Sequence, residues 1–317
     1  MNTDLPVTLS IVIPLYNSAG TLELLLGELS LLSIEGGFEV ILVNDGSRDA
    51  TEEVALRLLG TASIPITYLS HSRNYGEHNA ILTGLRASTG DYVITMDDDL
   101  QNPPSETVKL LEVAQREHRE VVYSVYEQKQ HAWWRNLGSS LTNLIADWSI
   151  SKPKGLYLSS FRCISRFVVD AISPCTTPYP YVDGLIFQVT QNVGVATVRH
   201  DPRRVGQSGY KLTGLLRLWM SMFVNASILP LQIATIMGIG LSLIGFISVV
   251  EVTVEHFAWN TPLGWGSTMA TVLLFAGTQL LMLGIVGEYV GRIYLGVSHK
   301  PQSVIRSQAQ GGRATRP

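Results

Sequence analysis

The stretch Thr95-Met-Asp-Asp-Asp-Leu-Gln-Asn-Pro-Pro104 sets three carboxylates directly behind an apolar run, Asp91-Tyr-Val-Ile-Thr-Met96. Like charges this close repel, so the cluster is either a solvated turn or the seat of something positive. A hard divalent cation, Mg2+ or Mn2+, takes carboxylate oxygens and usually keeps ligand phosphates in its shell. In an extended segment residues i and i+2 point the same way. On that parity Asp97 and Asp99 face one site, Gln101 adds an amide oxygen, and Asp98 points elsewhere. Taken alone so short a pattern favours the solvated turn. Its neighbours in the fold have to decide.

Those neighbours come from the elements around it. Leu9–Pro14, Phe38–Val43, Ile64–Leu69 and Asp91–Met96 read as strands. Helical patterns over Thr21–Leu32, after Asp49, over Glu77–Ala87 and over Pro104–Arg116 alternate with them. This is a βαβ layout, an α/β fold with a mostly parallel sheet. Such sheets bind ligands at the carboxyl ends of their strands. Pro14-Leu-Tyr-Asn17, Asn44-Asp-Gly-Ser47, His71-Ser-Arg-Asn74 and Asp97-Asp-Asp99 all fall there, so one crevice collects all four.

Composition adds a membrane. The net charge of −3 points to no polyanionic partner, so no nucleic acid. Only 15% of the 317 residues are charged and mean hydropathy is +0.20, against an ordinary charged share of about a quarter. The first residues have neither a basic nor an apolar core, so no signal peptide is expected. Cys163 and Cys175 are expected as free thiols in a reducing compartment. Ala132–Ser149, with Trp133, Trp134 and Trp148, reads equally as a core helix or one lying in a membrane interface. No Lys or Arg lies between Arg217 and Arg292. Ile228–Val250 and Gly266–Gly287 are each long enough to span a bilayer, which takes about 20 residues. Lys and Arg flank this pair on both outer sides, which predicts both termini and the catalytic domain on the cytoplasmic side. The expected organisation is a domain over 1–210, an amphipathic interface helix over 211–227, a hairpin over 228–290, and a basic cytoplasmic tail over 291–317, poorly ordered after Pro301.

As an ordered set, Ser10-Ile-Val-Ile-Pro-Leu-Tyr-Asn17, Val43-Asn-Asp-Gly-Ser47, Arg73-Asn-Tyr-Gly76, Gly90-Asp91 and Asp97-Asp-Asp-Leu-Gln-Asn-Pro-Pro104 resemble family 2 glycosyltransferases of the GT-A fold. The paired apolar spans, Arg203-Arg-Val-Gly-Gln-Ser-Gly-Tyr210 and Gly287-Glu-Tyr-Val-Gly-Arg-Ile-Tyr294, narrow this further. They are similar to polyprenyl-phosphate glycosyltransferases: bacterial undecaprenyl-phosphate glucosyl and aminoarabinose transferases and, more distantly, dolichol-phosphate mannose synthase. The resemblance runs from about Leu9 to Lys300. It implies a Rossmann-like GT-A catalytic domain, interface helices and a two-helix transmembrane hairpin in the bacterial inner membrane.

It also implies roles. Pro14, Tyr16 and Asn17 would line the pocket of a nucleotide-sugar donor, with UDP expected. Asp45 would accept the base N–H, and Arg73, Asn74 and Gly76 would close the other side, with Asp98 beside the nucleotide. Asp97, Asp99 and Gln101 would hold Mg2+ or Mn2+ against the diphosphate. Arg203, Ser208, Tyr210 and Lys211 would grip the phosphate of undecaprenyl phosphate. Asp97 and Asp99 are the expected catalytic acids. Asp183 joins them as a candidate, although an Asp-Gly turn or helix cap is the favoured reading for it. Relatives of this type form oligomers, often tetramers, and Gly238, Gly240 and Gly245 would allow close helix packing.

Three positions depart from the family pattern. The family often has Glu where Ser18 stands, a Lys where Gly209 stands, and an Asp shortly before Phe161-Arg162. A phosphate nucleophile is already largely dianionic near neutral pH, so the last absence suits a phosphate acceptor. Two rivals remain: a processive polysaccharide synthase, for which no Gln-x-x-Arg-Trp motif is found, and a non-catalytic nucleotide-sugar-binding membrane protein.

Overall fold

The computed structural model describes residues 7–126, 156–177, 180–202, 234–236, 238–241, 243–247, 250, 254, 258, 264–298 and 301–312. The chain divides into two compact units, Met1–Leu215 with Lys300–Pro317, and Leu216–His299.

The first unit begins as the sequence predicts. Strands β1 (Leu9–Leu15), β2 (Phe38–Asn44), β3 (Ile66–His71) and β4 (Tyr92–Thr95) alternate with helices α1 (Leu22–Leu29), α2 (Thr51–Leu59), α3 (Glu77–Ala87) and α4 (Glu106–Arg116). There follow β5 (Val121–Tyr126), β6 (Arg162–Ser165), α5 (Arg166–Ile172), α6 (Val182–Val189) and β7 (Val193–Val198). All enter one eight-stranded sheet, completed by β8 (Ile305–Gly311), in the order β7-β5-β6-β4-β1-β2-β3-β8. The central strands β3, β2, β1 and β4 are parallel, as is the pair β5–β7. Only β6 and β8 run against them, so the sheet is mostly parallel.

Both faces are covered, which is why the central strands are apolar throughout rather than alternating. Ile11, Ile13 and Leu15 pack with Leu22, Leu25 and Leu29 of α1, Leu59 of α2 and Leu110 of α4. The opposite parity, Val12 with Ile41 and Val43, packs with Ile81 and Leu85 of α3, Val168 of α5 and Ile186 of α6. Cys163 is buried in β6 and Cys175 is half-buried, both as free thiols.

Three expectations change. β3 starts at Ile66 rather than Ile64, because Pro65 has no N–H to give a ladder; its carbonyl still accepts from Val40 N at 2.9 Å. The strand continues through His71, which is buried inside it and not on the following loop. The segment after Pro301, expected to be poorly ordered, forms β8 and pairs antiparallel with β3. Its polar composition hides this because an edge strand is held by main-chain bonds and leaves most side chains in water.

In the second unit, α7 (Trp265–Val297) runs 33 residues. Among the described residues it is the one helix long and apolar enough to cross a membrane, over Leu274–Gly291. At 1.5 Å per residue it is about 50 Å long, more than the roughly 30 Å hydrocarbon core of a bilayer. The other expected span is described only in part, as a shorter apolar helix over Ala234–Ile247. Among the described residues, one helix of the expected hairpin is thus long and apolar enough to span. Residues 132–149, which read equally as a core or an interface helix, and 211–227, expected at the interface, lie outside the described residues.

Candidate active site

The carboxyl ends of β1, β2 and β3 form one wall. Asp45 follows β2, and its backbone N–H donates to Leu15 O at 2.9 Å. The side chain is 3% exposed and sits in a nest of donors. Tyr75 N and His71 Nδ1 each lie 2.8 Å from Oδ1, and Gly76 N lies 2.8 Å from Oδ2. A carboxylate has about four acceptor positions, so three partners leave room for one further N–H, such as that of a base. Asn17 adopts φ 57° and ties this wall together: its N–H donates to Ser47 Oγ at 3.0 Å, and its Oδ1 accepts from Arg48 N at 2.9 Å. Tyr16 is 47% exposed, and Pro14 is half-buried at the end of β1. Arg73 lies with its guanidinium 4.7 Å from the centre of the Tyr75 ring, while Asn74 beside it is exposed.

Gly46 lets two of these loops touch. Its φ is +66°, and a Cβ there would meet Arg73 C at 2.4 Å and Asn74 N at 2.5 Å. Gly46→Ala should destabilise the domain by more than the about 1–2 kcal/mol of a left-handed conformation alone, since backbone must also move. Thermal unfolding measures it, and a midpoint like wild type would refute the steric argument.

The acidic cluster forms the opposite side, but not through extended parity. β4 ends at Thr95, the chain turns at Asp98-Asp99, and Leu100 takes φ 60°. Asp99 Oδ1 caps this turn by accepting from Gln101 N at 3.1 Å. Asp97 Oδ2 accepts from Ser160 Oγ at 2.7 Å. Gln101 presents its amide nitrogen 3.4 Å from His200 Nε2, and its carbonyl accepts from Asp201 N at 2.8 Å. Asp98 is pushed up to about 6, by burial first and then by Asp97 and Asp99, while a hydrogen bond with Ser18 works the other way.

No group of three or more His, Cys, Asp or Glu able to hold a metal occurs among the described residues. The two carboxylates Asp97 and Asp99 nevertheless suit Mg2+, which typically takes one or two carboxylates and fills its shell with substrate phosphate and water.

Beside the acidic cluster, on the strand next to β4, lies a buried charge pair. Arg162, at the start of β6, is 1% exposed and ion-paired to Asp183, which is 6% exposed. Tyr123 Oη donates to the same Asp183 oxygen at 2.8 Å. Asp183 is therefore neither a turn former nor a cap: it lies in the first turn of α6 as the counterion of Arg162. Sequence reasoning passed over Arg162 and the adjacent Glu77, although Glu77 directly follows the Arg73–Gly76 motif. Glu77 is exposed to solvent, yet its carboxyl is pushed up to about 7. Burial is the first cause, then Asp97, with Arg162 opposing and Asp183 and Asp98 adding to the rise. Glu77 thus lies in the field of both the acidic cluster and the buried pair. Arg203, Ser208, Tyr210 and Lys211 lie outside the described residues; the chain leading to them starts at Asp201, against Gln101.

His78 is held low, at about 4, chiefly by burial, with Asp183 opposing and Arg162 assisting. Its ring meets Tyr181 edge-on at 5.2 Å. A His whose folded value lies below its unfolded 6.5 leaves the unfolded state binding more protons between pH 6.5 and 4. Its contribution to stability is present above pH 6.5 and lost as pH falls to 4. His78→Gln should therefore lose less stability than wild type over that window; equal losses in denaturant titrations would refute this.

The chain is similar to known transferases in sequence and in fold. An undecaprenyl-phosphate 4-deoxy-4-formamido-L-arabinose transferase of Pseudomonas aeruginosa (strain LESB58) is 33% identical over 303 residues, covering 93% of this chain and 88% of its own. One from Sodalis glossinidius (strain morsitans) is 31% identical over 302 residues, covering 94% and 92%. Glucosyl-3-phosphoglycerate synthase from Mycobacterium tuberculosis, solved with Mg2+ and UDP, matches 69% of this chain and 77% of its own with TM-score 0.53 at 19% identity. The same enzyme with Mn2+, UDP and glucosyl-3-phosphoglycerate gives 0.52 at 20%, over the same shares. At such identities the likeness speaks for the fold. The family model for glycosyl transferase family 2 matches residues 10–172, from β1 through α5. With that match lying over the crevice just described, and named transferases related along nearly the whole chain, this protein is a glycosyltransferase and belongs to glycosyl transferase family 2.

Proposed function

We propose that this enzyme transfers a sugar from a nucleotide-sugar donor, a UDP-sugar, to undecaprenyl phosphate, giving a polyprenyl monophosphosugar. The observation that carries the reading is the 33% identity to undecaprenyl-phosphate transferases, which extends over 93% of the chain and so past the catalytic unit. The helix α7 supports it, since a long-chain acceptor stays in the bilayer and calls for an enzyme held there. The crevice supports a nucleotide donor, and the fold relatives bind UDP with Mg2+ or Mn2+.

In this reading Asp45 accepts the base N–H, with Pro14, Tyr16 and Asn17 on one side and Arg73, Asn74 and Gly76 on the other. Asp97 and Asp99, with Gln101 beside them, would hold a divalent cation, which supplies neutralisation of charge on the departing nucleotide diphosphate. Asp98 fixes the Ser18 loop against the nucleotide. Asp183 keeps Arg162 charged and in place at the start of β6. Arg203, Ser208, Tyr210 and Lys211 receive the acceptor phosphate. One phosphate oxygen attacks the anomeric carbon from the face opposite the nucleotide. The bond from that carbon to the diphosphate oxygen breaks, its electron pair leaves with the nucleotide, and the configuration inverts. Positioning dominates over proton removal because the acceptor phosphate is already ionised. The catalytic domain and both termini are assigned to the cytoplasmic side of the inner membrane, and the chain to a homo-oligomer.

Membranes bearing this protein, given labelled UDP-sugars, undecaprenyl phosphate and Mg2+, test the reading. Label should pass to the organic phase. Polymer instead would indicate a synthase, and nucleotide binding without turnover a sensor; either result would sink the proposal.

A further inference from the structure

His71 is a buried histidine on β3 with both ring nitrogens engaged. Nδ1 lies 2.8 Å from Asp45 Oδ1, and Nε2 lies 3.0 Å from Thr83 Oγ1 on α3. The ring is 1% exposed. Asp45 already accepts two backbone N–H bonds as an acceptor-only carboxylate, so Nδ1 must carry the hydrogen that faces it. That fixes the tautomer by the network around the ring. Thr83 is itself gripped from outside: its hydroxyl oxygen lies 2.9 Å from Asn79 O and 3.1 Å from Ser303 Oγ. Ser303 belongs to the segment that leads into β8.

This segment is clamped along its length. Gln302, 7% exposed, accepts from Arg86 Nη2 at 2.6 Å and donates to Thr177 O at 2.9 Å. Ser72 N donates to Val304 O at 2.9 Å, and Arg306 Nη2 donates to Ser72 O at 2.9 Å. β8 then pairs with β3 from Ile66 to His71. The chain after α7 therefore straps β3 to α3, and its innermost side-chain contact ends on Thr83, His71 and Asp45 in turn.

We propose that His71 is a positioning residue for the donor: it holds the Asp45 carboxylate in the orientation that receives the base, and the C-terminal strap, through Ser303 and Thr83, holds His71. The inference rests on the reading of Asp45 as the base acceptor. It gives the segment after the membrane helix a role in donor affinity and not only in sheet stability.

Two substitutions separate the halves of the ring. In His71→Asn the amide nitrogen stands near Nδ1 and keeps the bond to Asp45. In His71→Gln the amide reaches the Nε2 position, where its oxygen can accept from Thr83, and the bond to Asp45 is lost. With the full-length protein, UDP affinity in Mg2+, donor KM and kcat are measured alongside thermal unfolding. His71→Gln should raise the UDP Kd and donor KM about 10-fold, the worth of one hydrogen bond to a charged group, with kcat retained. His71→Asn should restore most of that loss. Thr83→Val should raise donor KM by a smaller factor without changing kcat. Equal donor affinities in the Gln and Asn variants, or unfolding shifts with unchanged affinity, would overturn the inference. Asp45→Asn is the control for the underlying reading. If it leaves UDP affinity unchanged, the base assignment itself fails. If it weakens UDP binding while His71→Gln does not, only the role of His71 fails.

Discussion

Asp99→Asn should lower turnover about 10³-fold or more while leaving thermal unfolding close to wild type. The reasoning separates two jobs of one side chain. Asp99 Oδ1 accepts from Gln101 N and so shapes the turn in which Leu100 takes φ 60°. An asparagine keeps that acceptor and therefore the turn. It loses the negative charge, which is what a hard cation needs. Asp99→Ala loses both, and should show the same fall in turnover together with a lower unfolding midpoint. Asp98→Ala should keep most of the activity, because Asp98 is engaged by Ser18. Measuring lipid-linked product across Mg2+ concentrations with the three variants decides it. An Asp99→Asn enzyme that recovers wild-type rate at higher Mg2+ would place the cation elsewhere.

That prediction keeps the pair Asp97 and Asp99 but replaces the argument that first selected it. Extended parity required β4 to run on through the acids, whereas the strand stops at Thr95. The ordered spacing of motifs was the sounder signal, since β1 to β4 came with apolar runs flanked by turn residues, and their carboxyl ends meet as the parallel topology demands. What the sequence kept hidden has physical causes. β6 is four residues and β8 is mostly polar, so neither has a periodic apolar signature. His71 looked like a loop residue because it abuts Ser72-Arg73-Asn74, and only the fold brings Asp45 and Thr83 to its two nitrogens. Arg162 and Asp183 lie 21 positions apart, and no local pattern announces that one neutralises the other.

The buried pair carries the largest expected effect on stability. Arg162 is 1% exposed, and its guanidinium also lies 5.9 Å from the centre of the Tyr123 ring. Among the described residues its Nε has no hydrogen-bond partner, so Asp183 bears most of the compensation for a charge taken out of water. Asp183→Ala would leave that charge uncompensated, at a cost of about 3–5 kcal/mol. For a domain of this size each kcal/mol shifts the midpoint by about 2–4 °C, so unfolding should begin about 6–20 °C lower. Asp183→Asn should fall between, since it keeps an acceptor for Tyr123 and Arg162 but not the charge. The double variant Arg162→Leu with Asp183→Leu removes both ions together, and should cost less than Asp183→Ala alone, because the desolvation of the arginine goes with it. Activity must move differently from stability. If Arg162 serves the crevice through its field on Glu77, the double variant should be folded and still impaired in turnover. A folded double variant with wild-type turnover would confine Arg162 and Asp183 to holding β6 and α6 together.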